Sequence, residues 1–247
     1  MIRAEIMGRT GRIPLARPEA HNALTKVAMG EIQATLEGWA DSDIRVVIIT
    51  GEGRSFCSGA SLDELGDGNW DHNPLTPLCD TVERYKAPVI AALNGGVFGG
   101  GVDLALACDF RIGVQGMKMF VPPAKLGIHY EPEGIARAVQ RLGSQMARRV
   151  FLLAETFESG ALLTHGFLDE LVAPDQLEAR AMAMVEAISA LAPMAVQGMK
   201  KTIVEASQNR LDIPAAKARV QACFASQDHA EGLLALREKR PPNFTGR

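Results

Sequence analysis

The stretch "NGGVFGGGVDLALACDF", residues 94–110, decides how the rest of the chain is read. It places five glycines within eight residues and follows them with an apolar run holding one acid, Asp103. Glycine has no Cβ, so such a cluster lets other atoms reach the backbone closely. The run after it predicts a helix over 100–107, and "PVIAALNG" at 88–95 predicts a strand before it. Strand, glycine turn and helix start together aim unpaired N–H groups and the positive end of a helix dipole into the turn. A dinucleotide fingerprint is excluded, because GxGxxG begun at Gly99 meets Leu104 where the last glycine belongs. The cluster also carries no lysine followed by Ser or Thr, so it is not a phosphate-binding P-loop. An acid within "GVDLALAC" is costly to bury unless it is hydrogen-bonded or used.

Outward from this turn, strand and helix patterns alternate. "IRVVIITG" at 44–51 is a continuous β-branched run, the pattern of a strand buried on both faces of a parallel sheet. "DFRIGV" at 109–114 predicts another strand, and two short ones are expected over 2–7 and 11–16. Helices are expected over 23–40, with Asn22 as N-cap, and over 75–86. The alternation argues for an α/β domain of βαβ units. From about residue 133 the pattern turns helical almost throughout, and Pro193 divides its last long stretch into two helices. We therefore expect an α/β core over 1–190 and a helical region over 191–247. The apolar helical faces carry too little core of their own and should pack on the α/β part, on a neighbouring subunit, or on both.

At 247 residues, 47% hydrophobic and 22% charged, the chain has the composition of a soluble globular domain with a sizeable core. A net charge of −3 without a basic run gives nucleic acid no electrostatic support. The apolar runs are too short and interrupted to span a membrane, and no signal-peptide pattern opens the chain. Cys57, Cys79, Cys108 and Cys223 are scattered without metal-binding spacing, and the histidines at 21, 72, 129, 165 and 229 are equally dispersed. They read as small core residues of a reducing compartment and as no metal site, so a cytoplasmic location is expected.

A second glycine turn, "GRSFCSGASLDEL" at 53–65, follows the strand at 44–51. With "ARPEAHNALT" at 16–25 and "GGGVDLALACDF" at 99–110, its order and spacing resemble the crotonase, or enoyl-CoA hydratase/isomerase, superfamily. The resemblance extends to the terminal "REKRPPNFTGR". It implies a fold of repeated ββα units with a helical C-terminal trimerisation region, a homotrimer or hexamer, and an acyl-CoA substrate. No separate cofactor is implied, coenzyme A being part of the substrate. The resemblance places the first oxyanion-hole N–H at Ala60 and the second at Gly100. It gives coenzyme A contacts to the "RPEAHNAL" loop at 17–24 and the segment around Arg54, with Ala20, Ser58 and Leu62 as further candidates. Two fixed backbone donors at a developing enolate oxygen agree with that chemistry, one such donor typically contributing ~3–4 kcal/mol.

The carboxylates depart from the hydratase pattern. Hydratases of the superfamily use two glutamates, the first three residues after the oxyanion glycine, and here that position holds Asp103. The second lies four residues before the glycine of an "LG" pair, which is Gly127, and here that position is Pro123. Certain isomerases of the superfamily place their acid four residues beyond that glycine, which is Glu131, with Glu133 of the "EPEG" run as a rival. A lone carboxylate can move a double bond by taking a proton from one carbon and returning it to another. The expectation is therefore enoyl-CoA double-bond isomerisation with Glu131 as base and Asp103 as second acid or orienting group. The alternatives are a hydratase using Asp103 and Glu131, or an acyl-CoA-binding homologue without catalysis.

Overall fold

The computed structural model of the chain describes residues 1–61, 64 and 73–247. The apolar runs of the sequence form a six-stranded sheet in the order β1-β2-β3-β5-β7-β10. Its members are β1 (Glu5–Met7), β2 (Thr10–Leu15), β3 (Val46–Gly51), β5 (Val89–Leu93), β7 (Phe110–Val114) and β10 (Glu170–Val172). Only β1 runs antiparallel to its neighbour; the other pairings are parallel, with Ile48 between Arg12 and Ile90. Val46, Val47, Ile48 and Ile49 are all buried, which is why the β3 run shows no polar alternation.

A second sheet, β4-β6-β8-β9, contains β4 (Ser55–Cys57), β6 (Gly96–Phe98), β8 (Lys118–Phe120) and β9 (Phe157–Glu158). Consecutive strands thus divide between the sheets: β3 and β4, then β5 and β6, then β7 and β8. After β4 comes helix α2 (Leu75–Arg84), after β6 α3 (Gly100–Ala107), and after β8 α4 (Pro132–Leu152), which is kinked where Gly143 takes a non-helical φ of 78°, so the chain winds as repeated ββα turns. Close approach of the small strands explains one glycine of the cluster: a Cβ on Gly95 would collide with the Arg54 carbonyl oxygen.

Two expectations are corrected. Helix α1 spans Lys26–Gly38 and is capped by Thr25, whose Oγ1 accepts from the Ala28 N–H at 3.1 Å. Asn22 instead takes a left-handed φ of 56° and donates to the carbonyls of Glu52 and Ser55, tying the 16–25 loop to the turn after β3. Its geometry is not the extended one an N-cap needs. The segment expected to be helical beyond 133 also contains β9 and β10, which pair with β8 and β7.

Helices α5 (Ser159–Thr164) and α6 (Leu177–Ser189) follow, and α6 lies on β3, β5 and β7. The chain then continues as α7 (Pro193–Ser207), α8 (Ile213–Phe224) and α9 (Gln227–Glu238). Pro193 stands at the first position of α7, where its missing N–H costs nothing. These three helices leave Met199, Ile203, Ile213, Val220, Phe224 and Leu233 exposed around a cavity of about 840 Å³. No single helix among the described residues is long and apolar enough to cross a membrane.

Candidate active site

The ββα winding brings the two glycine turns together. Gly59, with φ 91°, and Gly99, with φ 51°, take backbone conformations that side chains resist. A Cβ on Gly59 would lie 2.9 Å from the Gly100 nitrogen, and one on Gly100 would lie 3.6 Å from the Ala60 nitrogen. The Ala60 and Gly100 N–H groups, expected as a pair of donors, are thus near neighbours. The bridge between Leu24 and Ala60 uses the Leu24 and Ser61 N–H groups and the Gly59 carbonyl, so the Ala60 N–H stays out of it. Gly100 opens α3, where an N–H has no partner within the helix. Among the described residues neither N–H meets a protein acceptor.

Glu131 stands at the N-cap of α4, half-buried, and its Oε1 accepts from Asn73 Nδ2 at 3.1 Å. Asn73 Oδ1 in turn accepts from the Leu75 N–H at 3.0 Å, which fixes the amide at the start of α2. Leu75 reaches the second donor, since a Cβ on Gly100 would meet its Cδ2 at 2.8 Å. From the other side, Tyr130 donates its hydroxyl to the Gly99 carbonyl at 3.2 Å. Glu131 is therefore linked to the Gly99–Gly100 turn by both neighbouring routes. Its rival Glu133 is exposed in the first turn of α4.

Asp103 is buried one helical turn inside α3, and Arg137 Nη1 of α4 donates to its Oδ1 at 2.5 Å. The same guanidinium reaches Asp80 at 3.0 Å and lies 3.6 Å from Glu83, both on α2. Arg141 and Gln208 hold Glu83 from the outside. Among the described residues Asp103 Oδ2 lacks a nitrogen or oxygen partner; the Cys79 thiol is beside the carboxylate, and a Cβ on Gly134 would lie 2.8 Å from that oxygen. Burial pushes the Asp103 carboxyl above the usual aspartate value, and the Arg137 charge only partly offsets this. Burial works against the Arg137 charge too, yet Asp103 and Glu83 hold it above its ordinary value. Burial and the nearby Asp103 raise the Tyr130 phenol, so it remains a neutral donor.

Of the expected coenzyme A contacts, Ala20 and Ser58 come together, Ser58 Oγ donating to the Ala20 carbonyl at 3.3 Å. Arg54 is exposed in the turn between β3 and β4. Leu62 lies outside the described residues. No cluster of His, Cys, Asp and Glu suited to a metal ion is present among the described residues. The arrangement can receive a carbonyl oxygen at two N–H groups and present one half-buried carboxylate beside it. Sequence reasoning passed over Asn73 and Arg137. The only trace of the ion cluster was its spacing, Asp80 and Glu83 three apart and Arg137 and Arg141 four apart, each pair on one helix face.

Residues 6–247 match the family model for enoyl-CoA hydratase/isomerase. The chain is 31% identical over 245 residues to a probable enoyl-CoA hydratase of Mycobacterium tuberculosis, covering 97% of this chain and 95% of that protein. It is 29% identical to the 2,3-dehydroadipyl-CoA hydratase of Escherichia coli, covering 95% of this chain and 94% of that one. Its fold superposes on the crystal structure of an enoyl-CoA hydratase from Bacillus anthracis with a TM-score of 0.93 and 29% identity, covering 100% of this chain and 99% of that one.

Proposed function

The chain belongs to the enoyl-CoA hydratase/isomerase family, and from that premise we propose that it moves the double bond of an enoyl-CoA thioester through an enolate. The observation that carries this reading is the division of the two acids: Arg137 holds Asp103 inside the protein, whereas Glu131 is half-buried and engaged at Oε1 alone among the described residues. The thioester carbonyl of a trans-3-enoyl-CoA accepts from the Ala60 and Gly100 N–H groups. Glu131 takes a proton from C2, the electron pair spreads to a dienolate whose oxygen the two donors stabilise, and the same carboxyl returns the proton to C4. Asn73 orients the carboxylate, and coenzyme A enters as part of the substrate along the 16–25 loop, Arg54 and Ser58. The C-terminal helices pack a homotrimer, or a hexamer of two trimers, through their exposed apolar faces, in a cytoplasmic protein.

Water addition is the second reading, because the relatives are named hydratases. It asks Asp103 to orient water while paired with Arg137. Ultraviolet absorbance of the conjugated thioester separates the two. A rise with trans-3-enoyl-CoA and no change with trans-2-enoyl-CoA supports isomerisation. A fall with the 2-enoyl substrate means that water is added.

A further inference from the structure

We propose that Tyr130 is a positioning residue for the oxyanion hole, setting the peptide plane that presents the Gly100 N–H; the proposal rests on the oxyanion reading above. The Gly99 carbonyl and the Gly100 N–H belong to one planar trans peptide, so they point in opposite directions and turn together. With glycine on both sides, little steric resistance opposes a rotation of that plane. Val102 N–H binds the Gly99 carbonyl at 3.1 Å as part of the helix start, and Tyr130 Oη adds a second donor at 3.2 Å from another element. Any rotation that turns the Gly100 N–H out of the hole breaks the Tyr130 bond. A donor on the carbonyl also polarises the amide, which makes its N–H a stronger donor toward the substrate.

The surroundings hold the tyrosine to this task. A Cβ on Gly134 would lie 2.5 Å from Tyr130 Cε1, so only glycine in the first turn of α4 admits the ring. Phe151, near the other end of α4, packs on it with ring centroids 5.0 Å apart. The phenol is held neutral by burial and by Asp103, so the hydroxyl donates throughout the neutral range. The "EPEG" run thus serves two ends: Glu131 supplies the carboxylate, and Gly134 leaves space for the residue that sets the donor.

The test uses the full-length protein, wild type and Tyr130→Phe, with butyryl-CoA labelled with ¹³C at the thioester carbonyl. Isotope-edited infrared difference spectra read how far the bound carbonyl band moves from its position in free solution. We expect the wild-type band to shift to lower frequency and the Tyr130→Phe band to lose much of that shift. With trans-3-hexenoyl-CoA, kcat should fall by roughly 5- to 20-fold, less than for loss of a donor outright. KM should stay within about twofold, since the lost interaction strengthens in the transition state. Unchanged band position and kcat in Tyr130→Phe would overturn the proposal. A wild-type band that does not move although butyryl-CoA binds would instead sink the oxyanion reading beneath it. The chain has only two tyrosines, so 3-fluorotyrosine incorporated in a Tyr85→Phe background reports on Tyr130 alone. Its more acidic phenol should enlarge the shift, and an unchanged shift counts against the proposal even if Tyr130→Phe does not fold.

Discussion

Two arginines in this chain each grip more than one carboxylate, and they do so to opposite effect. Arg240, after α9, binds both oxygens of Glu231 and one of Glu238 on the surface. Arg137, within α4, binds Asp103 and Asp80 with Glu83 close by, almost out of reach of solvent. Beside Arg240 the Glu231 carboxyl is pulled down to about 2, chiefly by the arginine's hydrogen bonds. Beside Arg137 the Asp103 carboxyl is pushed up, because burial outweighs the neighbouring charge. An arginine partner therefore does not by itself fix the state of an acid; the water lost on folding decides it. On the proposed isomerisation the difference bears on function, since a buried grip on Asp103 would leave Glu131 as the acid that moves the proton.

The sharpest way to break that division is at the acids. Glu131→Gln should lower isomerisation kcat by roughly 10²- to 10⁴-fold, the usual range for losing a general base. Asp103→Asn should cost far less, and equal losses in the two variants would refute a single-acid site. Next in size is Arg137→Met. It leaves Asp103 buried without its counter-charge and should destabilise the fold by about 3–5 kcal/mol in chemical denaturation. Removing both charges, as Arg137→Met with Asp103→Leu, should restore much of that loss. No restoration would show that Asp80 and Glu83 are the partners that matter.

This division was only partly legible in the sequence. The β3 run, the helix at 100–107 and the two glycine turns were readable because each has a local signature: unbroken apolar residues, or glycines where a Cβ does not fit. Ala60 and Gly100 could be placed together through family resemblance, and the structure brings their turns into contact. The second sheet was missed because β4, β6 and β8 have three residues each and lie inside turn-like sequence. The pairing of Asp103 with Arg137 spans 34 residues and depends on how α3 meets α4, which no local pattern encodes. Asn73 was equally silent, since its partner Glu131 is 58 residues away.

The raised Asp103 carboxyl makes a smaller, signed prediction. A carboxyl whose folded pKa lies above its unfolded one contributes stability below the ordinary aspartate value and loses it as pH rises through the raised value. Wild-type stability should carry this loss on going from acid toward neutral pH, and Asp103→Asn, which cannot ionise, should lack it. Denaturant midpoints for the two proteins across the acid range measure the difference. A wild-type curve rising more steeply than that of Asp103→Asn would mean that Arg137 overcomes burial after all.

The smallest effect is expected at Arg240. The bonds it makes to Glu231 and Glu238 are short, and the Asn243 N–H adds a third donor to Glu231. Geometry alone would rank this cluster beside that of Arg137. Its groups, however, stay partly open to solvent, Arg240 being 37% exposed against 3% for Arg137, and ordering two long side chains offsets much of the attraction. Arg240→Met should therefore melt indistinguishably from the wild type at neutral pH. Glu231 is held low, so its contribution exists above the ordinary glutamate value and disappears as pH falls toward about 2. Any difference between Arg240→Met and the wild type should vanish over that acid range and shrink at high salt, where exposed charges are screened. A melting shift as large as that of Arg137→Met would show that hydrogen-bond geometry, and not desolvation, separates the two arginines.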